Sequence, residues 1–136
     1  MFRYALTSKA GRSADSEIIR FGNDAAEPFK AIWGVSGKGQ GGAGSVSFLS
    51  VEPANVRLLG IKSAEDGKGF VVRLQEMDGK KTLVRIKISP NLRISSAARA
   101  NLLEEDAQKL TVLREKKGRI VEDDITAHGL LTVRVW

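Results

Sequence analysis

Gly37, Gly39 and Gly42 stand at the spacing G-x-G-x-x-G. That pattern holds a pyrophosphate when a helix start follows, because the free N–H groups of the first turn then meet the anion. Here Ser45-Val46-Ser47-Phe48-Leu49-Ser50 follows and reads as a strand. Gly37–Gly44 is therefore expected to be a loop rather than a nucleotide site, and no Lys-Ser or Lys-Thr pair closes it as a Walker loop would. His128 is the one histidine. A nucleophile–base–acid triad needs a serine and a carboxylate beside it. No elbow motif supplies that serine, so His128 reads as a surface or structural group in a turn. Glu104-Glu105-Asp106 and Glu122-Asp123-Asp124 are acidic runs. Glycosidic acid–base chemistry needs two opposed carboxylates about 5–10 Å apart with different pKa values. Adjacent residues do not oppose one another, and both runs are expected in solvated loops. No D-x-D-x-D-G calcium loop appears.

The basic residues are spread from Arg57 to Arg134. Arg85 and Lys87 are expected beside Arg73 across a hairpin, as a positive sheet face. Single-strand binders add aromatic platforms to such a face. Aromatics are only 6% of this chain, so nucleic acid is not an expected partner.

The elements that must position these groups are mainly strands. Phe2, Tyr4 and Leu6 alternate with polar residues, as do Val84, Ile86 and Ile88 against Arg85 and Lys87. Leu131, Val133 and Val135 alternate with Thr132, Arg134 and Trp136. Period-two alternation places each apolar set on one strand face, as in a sheet covered on one side. Segments 56–62, 70–77 and 94–101 are similar but less regular. Asp78-Gly79 separates 70–77 from 80–89 and predicts a type I′ hairpin. Glu65–Gly69 is expected to join 56–62 to 70–77, and Lys116-Lys117-Gly118 to join 110–115 to 119–123. Ser13 predicts the cap of a short helix over 14–22, with Asp15 and Glu17 near its positive end. Pro28 predicts an extended entry into Phe29–Val35, and 102–109 reads as a turn or loop. The fold class is all-β, an antiparallel β-sandwich with at most one short helix near the N-terminus. The glycine run divides residues 1–45 from a more regular block, 46–136.

Length and composition agree with one soluble domain, or one and a small part. The chain has 136 residues, 42% hydrophobic and 28% charged, with 22 basic and 16 acidic side chains and a net charge of +6. A chain of this length hides roughly 65–70% of its unfolded surface. No apolar run approaches the ~18–20 residues that cross a bilayer, so no membrane association is expected. The absence of cysteine excludes disulfides, thiolate metal sites and cysteine nucleophiles. One histidine excludes multi-histidine metal sites within the chain. The N-terminus lacks the apolar centre of a secretory signal, and the expected compartment is the cytoplasm.

Four passages carry a resemblance. They are Val56-Arg57-Leu58-Leu59-Gly60-Ile61-Lys62-Ser63-Ala64-Glu65-Asp66, Phe70-Val71-Val72-Arg73-Leu74-Gln75-Glu76-Met77-Asp78-Gly79, Ala100-Asn101-Leu102-Leu103-Glu104-Glu105 and Leu130–Val135. In this order they resemble the C-terminal β-sandwich region of glycoside hydrolase family 38, the α-mannosidases. Phe70–Gly79 is similar to the family's R-L-x-E-x-x-G hairpin, and Ala100–Glu105 is similar to its N-L-L-E segment. Phe2-Arg3-Tyr4-Ala5-Leu6 and Glu27-Pro28 resemble the passage preceding that sandwich, although Ala26-Glu27-Pro28 lacks the usual asparagine. The resemblance implies a retaining, zinc-dependent parent enzyme whose metal and nucleophile lie in an N-terminal α/β barrel. This chain then resembles the tail of such an enzyme, as a fragment or a separately encoded piece.

That reading assigns no catalytic, cofactor-binding or metal-ligating residue to this chain. Arg73, Glu76, Asn101 and Glu104 are its candidate structural or cleft-edge residues. Glu76 falls on the Phe70/Val72/Leu74 side of its strand. It is either a partly buried group needing a cation or N–H partners, or a strand-end glutamate in water. Asn101 and Glu104 are expected to fix a turn by side chain–backbone bonds. The implied partner is the remainder of the mannosidase, with self-association of the isolated chain. The rival reading is a free-standing basic module for carbohydrate or polyanion.

Overall fold

The structure, a computed structural model, describes residues 4–26 and 47–136. Two compact units divide the chain, the second beginning at Ser47. In the first, α1 spans Asp15–Ala26. It starts one residue later and runs four residues further than the sequence predicts. The Glu17 carboxylate, in the first turn, accepts a hydrogen bond from Ala14 N at 3.3 Å, and Ala14 O accepts from Ile18 N. The expected N-terminal strand is not found: residues 4–9 carry no strand, and Tyr4 and Leu6 are exposed. A strand without a partner cannot satisfy its backbone groups. Phe2, Pro28, Phe29–Val35, Trp33 and the glycine run lie outside the described residues.

The second unit is a sandwich of two antiparallel sheets. Its strands are β1 (Leu49–Glu52), β2 (Val56–Ser63), β3 (Phe70–Glu76), β4 (Thr82–Ile88), β5 (Ala97–Ala100), β6 (Asp106–Leu110), β7 (Val112–Glu115), β8 (Gly118–Ile125) and β9 (Leu130–Val135). One sheet has the order β1-β4-β8-β7 and the other β2-β3-β9-β5-β6. Alternation decides what is buried. Val84, Ile86 and Ile88 of β4, Val121 and Ile125 of β8, and Leu131, Val133 and Val135 of β9 meet Val72 and Leu74 of β3 in one core. Arg85 and Leu83 stay outside. The five-stranded sheet departs from the expected one-sided cover. Val71 and Thr132, on its opposite face, are buried as well.

The turns at 65–69 and 116–118 join β2 to β3 and β7 to β8 as antiparallel hairpins. The expected Asp78-Gly79 hairpin is overturned. β3 pairs with β2 and β9, whereas β4 pairs with β1 and β8, so residues 77–81 cross from one sheet to the other. Arg73 therefore lies on a different sheet from Arg85 and Lys87. Those two pair instead with Glu122 at 2.5 Å and Glu52 at 2.7 Å, so the expected positive face does not form. Segment 94–101 shortens to β5, and the stretch read as loop at 102–109 becomes a turn followed by β6. Glu122, Asp123 and Asp124, expected in a loop, lie on β8, each beside a cation: Arg85, Arg99 and Lys81. Arg99 reaches from β5 to Asp123 on the other sheet, with Nε and Nη2 donating at 2.7 and 2.6 Å. That hydrogen-bonded carboxylate raises the Arg99 pKa against the opposing effect of burial.

Candidate functional site

Glu76 ends β3 and is wholly buried. The strand alternates its side chains, and position 76 falls on the face of Val72 and Leu74, so the carboxylate enters the sandwich end. A buried carboxylate is tolerable only when its lone pairs are satisfied. Five N–H donors do so here. Asn55 Nδ2 and the Asp78 amide donate to Oε1, each at 2.8 Å. The amides of Gly79, Lys80 and His128 donate to Oε2 at 2.8, 3.1 and 3.0 Å. Burial pushes the carboxyl pKa upward. The donors, led by the His128 amide and Asn55, outweigh it and hold the group at about 2.

One carboxylate thereby fastens two loops to β3: the crossover 77–81 and the turn before β9. The backbone of both loops is shaped for it. Gly79 and His128 have φ of 72° and 52°. A Cβ on Gly79 would stand 2.7 Å from His128 Nε2, so the two turns touch where only glycine fits. Asn55 completes the knot. Its Nδ2 also donates to Thr82 Oγ1 at 2.8 Å, and its carbonyl accepts from Met77 N at 2.9 Å. The turn before β9 places His128 as expected, and it joins the knot through its backbone. Sequence reading passed over Asn55 and Thr82. The Pro53-Ala54-Asn55 turn ahead of a strand was the available signal, but it marks a turn and not a side chain's target.

Arg73, Asn101 and Glu104 converge elsewhere, on the other face of the same sheet. The β5–β6 loop, residues 101–105, carries Glu104 at φ 69° with only 8% of its surface exposed, so this residue is not in the solvated loop that its acidic run suggests. Glu104 Oε1 meets Lys62 Nζ at 2.6 Å and Arg73 Nη2 at 3.7 Å, and Oε2 accepts from Glu65 N at 3.2 Å. Arg73 Nη2 also donates to Leu102 O at 2.9 Å. Asn101 Oδ1 accepts from Leu103 N and Glu105 N at 2.9 and 3.0 Å, and its Nδ2 donates to Glu105 at 2.7 Å. The Lys62 hydrogen bond lowers the Glu104 pKa in spite of burial, with help from Glu65 N and Arg73. Lys62 in turn is raised by its bonds to Glu104 and Glu65. The loop from β5 thus reaches over β9 and β3 to β2. Glu76 stands apart from this cluster.

Neither carboxylate is set up for proton transfer near neutral pH. Both are held ionised, and every close partner donates to the charged form. Zinc does not fit here either. Among the described residues no three of His, Cys, Asp and Glu stand together so as to hold a metal ion. No helix among them is long and apolar enough to cross a membrane.

No curated protein matches the chain. The model of the glycosyl hydrolases family 38 C-terminal beta sandwich domain matches residues 55–128. The first and last of these, Asn55 and His128, both donate to Glu76. The matched stretch therefore contains the whole knot and the crossover it fastens, together with the Lys62–Arg73–Glu104 cluster. With more than half of its length matched and a two-sheet antiparallel sandwich to carry it, the chain belongs to the family of glycosyl hydrolase family 38 C-terminal β-sandwich domains.

Proposed function

We propose that this chain is the non-catalytic C-terminal sandwich of an α-mannosidase, a cytoplasmic glycosyl hydrolase of carbohydrate metabolism. Its role is to pack on the catalytic barrel and stabilise it. The observation that carries this reading is the span of the family match, 55–128, which begins and ends on the donors to Glu76. A buried, fully hydrogen-bonded carboxylate fixes loop geometry and performs no chemistry. Zinc and the hydrolytic carboxylates belong to the barrel in this reading. Arg73, Asn101 and Glu104 shape the β5–β6 loop, whose Leu102 and Leu103 are exposed at 60% and 79%, for contact with that barrel.

The test has two arms. The pure chain with added zinc is assayed against an aryl α-mannoside, and no turnover is expected. It is then mixed with the separately produced family 38 barrel of the same genome, and sedimentation is expected to show a one-to-one complex. Turnover by the chain alone, or no complex with the barrel, overturns the proposal.

A further inference from the structure

We infer that the β5–β6 loop, residues 101–105, is a strap latched across the outer face of the five-stranded sheet by the charge of Glu104. Neutralising this carboxylate swings the strap away as a unit while the sandwich stays folded. Cross-strand rows fix what lies beneath it. Lys62, Val71 and Arg134 form one row on the face turned from the core, and Gly60, Arg73, Thr132 and Ala100 form the next. Glu104 Oε1 meets Lys62 of the first row and Arg73 of the second, and Leu102 O accepts from Arg73 Nη2. These anchors bracket Val71 and Thr132, which are buried although they face away from the core. The strap therefore lies over them.

The strap is tied to itself. Asn101 N donates to Glu105 O, Glu104 N donates to Asn101 O, and Asn101 Oδ1 accepts from the Leu103 and Glu105 amides. Those bonds travel with it. Its ties across the sheet are fewer: the Arg73–Leu102 bond, and the three contacts that Glu104 makes with Lys62, Arg73 and Glu65 N. Glu104 itself sits at φ 69°, a left-handed conformation that a residue with a side chain keeps only while its surroundings hold it there. Letting the carboxylate go removes those contacts and lets the backbone relax.

Charge is the switchable part of this latch. Facing Glu104 are Lys62 from β2, Glu65 from the β2–β3 turn and Arg73 from β3. On β9 Arg134 is taken by Asp66, and on the strap the Glu105 carboxylate is bonded to Asn101. The Lys62 hydrogen bond, the Glu65 amide and the Arg73 charge all favour the ionised form, and they hold the Glu104 carboxyl below its usual value. The strap is closed at neutral pH and loses its latch as pH falls through that depressed value. Lys62 and Arg73 are also two walls of a cavity of about 320 Å³ lined by Leu59, Gly60, Ile61 and Val71. Release frees both walls, so one carboxylate governs this cavity as well as the position of the exposed Leu102 and Leu103.

The test is NMR on the full chain, with a soluble paramagnetic agent reporting side-chain exposure and amide exchange reporting the latch. In Glu104→Gln at neutral pH the Val71 and Thr132 methyls should gain relaxation from the agent, and the Glu65 amide should exchange at least about tenfold faster. The Leu103 and Glu105 amides should keep their protection, because Asn101 moves with them, and so should Val72 and Val133 in the core. Lys62→Met should open the strap in part. Glu105→Gln, which alters a carboxylate bonded to Asn101 rather than to the sheet, should leave it closed. The parent should show the same uncovering as pH falls below 4.5, a transition that Glu104→Gln lacks. Should Glu104→Gln fail to fold, this acid titration of the parent reads the same event. The proposal is overturned if Val71 and Thr132 stay shielded in folded Glu104→Gln or if Glu105→Gln uncovers them equally. It is also overturned if acid exposes them in the parent only when the Val72 and Val133 amides lose protection.

Discussion

A single buried carboxylate ties together the crossover between the sheets and the turn before β9. Glu76 accepts from three consecutive turn amides, from a fourth amide that follows it by 52 residues, and from Asn55. Glu76→Gln keeps the volume but turns one acceptor oxygen into a donor facing donors. Leaving buried partners unpaired in this way costs about 3–5 kcal/mol, and urea unfolding is the measurement. A loss below about 1 kcal/mol would show that the amides find water instead. The same group sets an acid limit. Its folded pKa is depressed from 4.5 to about 2. Its stabilising contribution is therefore complete above the unfolded value and disappears as pH falls from there through the folded one. Glu104 and Asp66 are depressed too and act in the same direction. The wild-type chain should lose stability between pH 4.5 and about 2, and the Gln variant should show a flatter profile there. Parallel profiles would refute the assignment.

At the level of elements, what local chemistry controls was legible and what distant pairing controls was not. Alternation located β3, β4 and β9, and glycine-bearing turns located the 65–69 and 116–118 hairpins, because both signals act within a few residues. The Asp78-Gly79 turn has the same local signature as a hairpin. Yet its amides bond to the Glu76 carboxylate rather than to a facing strand, and that carboxylate is kept in place by Asn55 and His128. Residues 21 and 52 positions away leave no mark on the local pattern. The acidic run at 122–124 misled for a related reason. Its charges sit on a strand because Arg85, Arg99 and Lys81 stand opposite. The turn role expected of Asn101 was readable, since its bonds span only two to four residues. Asn101→Ala removes them and should cost about 1 kcal/mol. Hydrogen exchange at the Leu103 and Glu105 amides should accelerate while the Val72 and Val133 amides stay protected. Unchanged exchange at Leu103 and Glu105 would mean that Glu104 and Arg73 hold the loop unaided.

At the scale of the whole sandwich, four sheet edges are left among the described residues, and they are not equally guarded. β1 and β7 have four residues each, and β7 carries Arg114 and Glu115. β6 has five and carries Lys109. β2 is eight residues long, and all but the first are exposed, including Leu58, Leu59 and Ile61 at 39%, 44% and 49%. A long edge with apolar side chains and unpaired backbone groups is a template for another strand. Its defences are Arg57 and Lys62 and the register shift between Leu58 and Gly60. Lys62 is already held by Glu104 and Glu65, which leaves the Gly60–Ser63 half the less guarded. Two copies pairing β2 to β2 antiparallel would cover this stretch, so the isolated chain should self-associate as its concentration rises. Sedimentation velocity over a concentration series reads this directly. Ile61→Lys puts a charge on the edge without entering the core and should shift the distribution to monomer with little change in melting temperature. A wild-type chain that stays monomeric at the highest soluble concentration would show that the bulge at Leu59 protects the edge by itself.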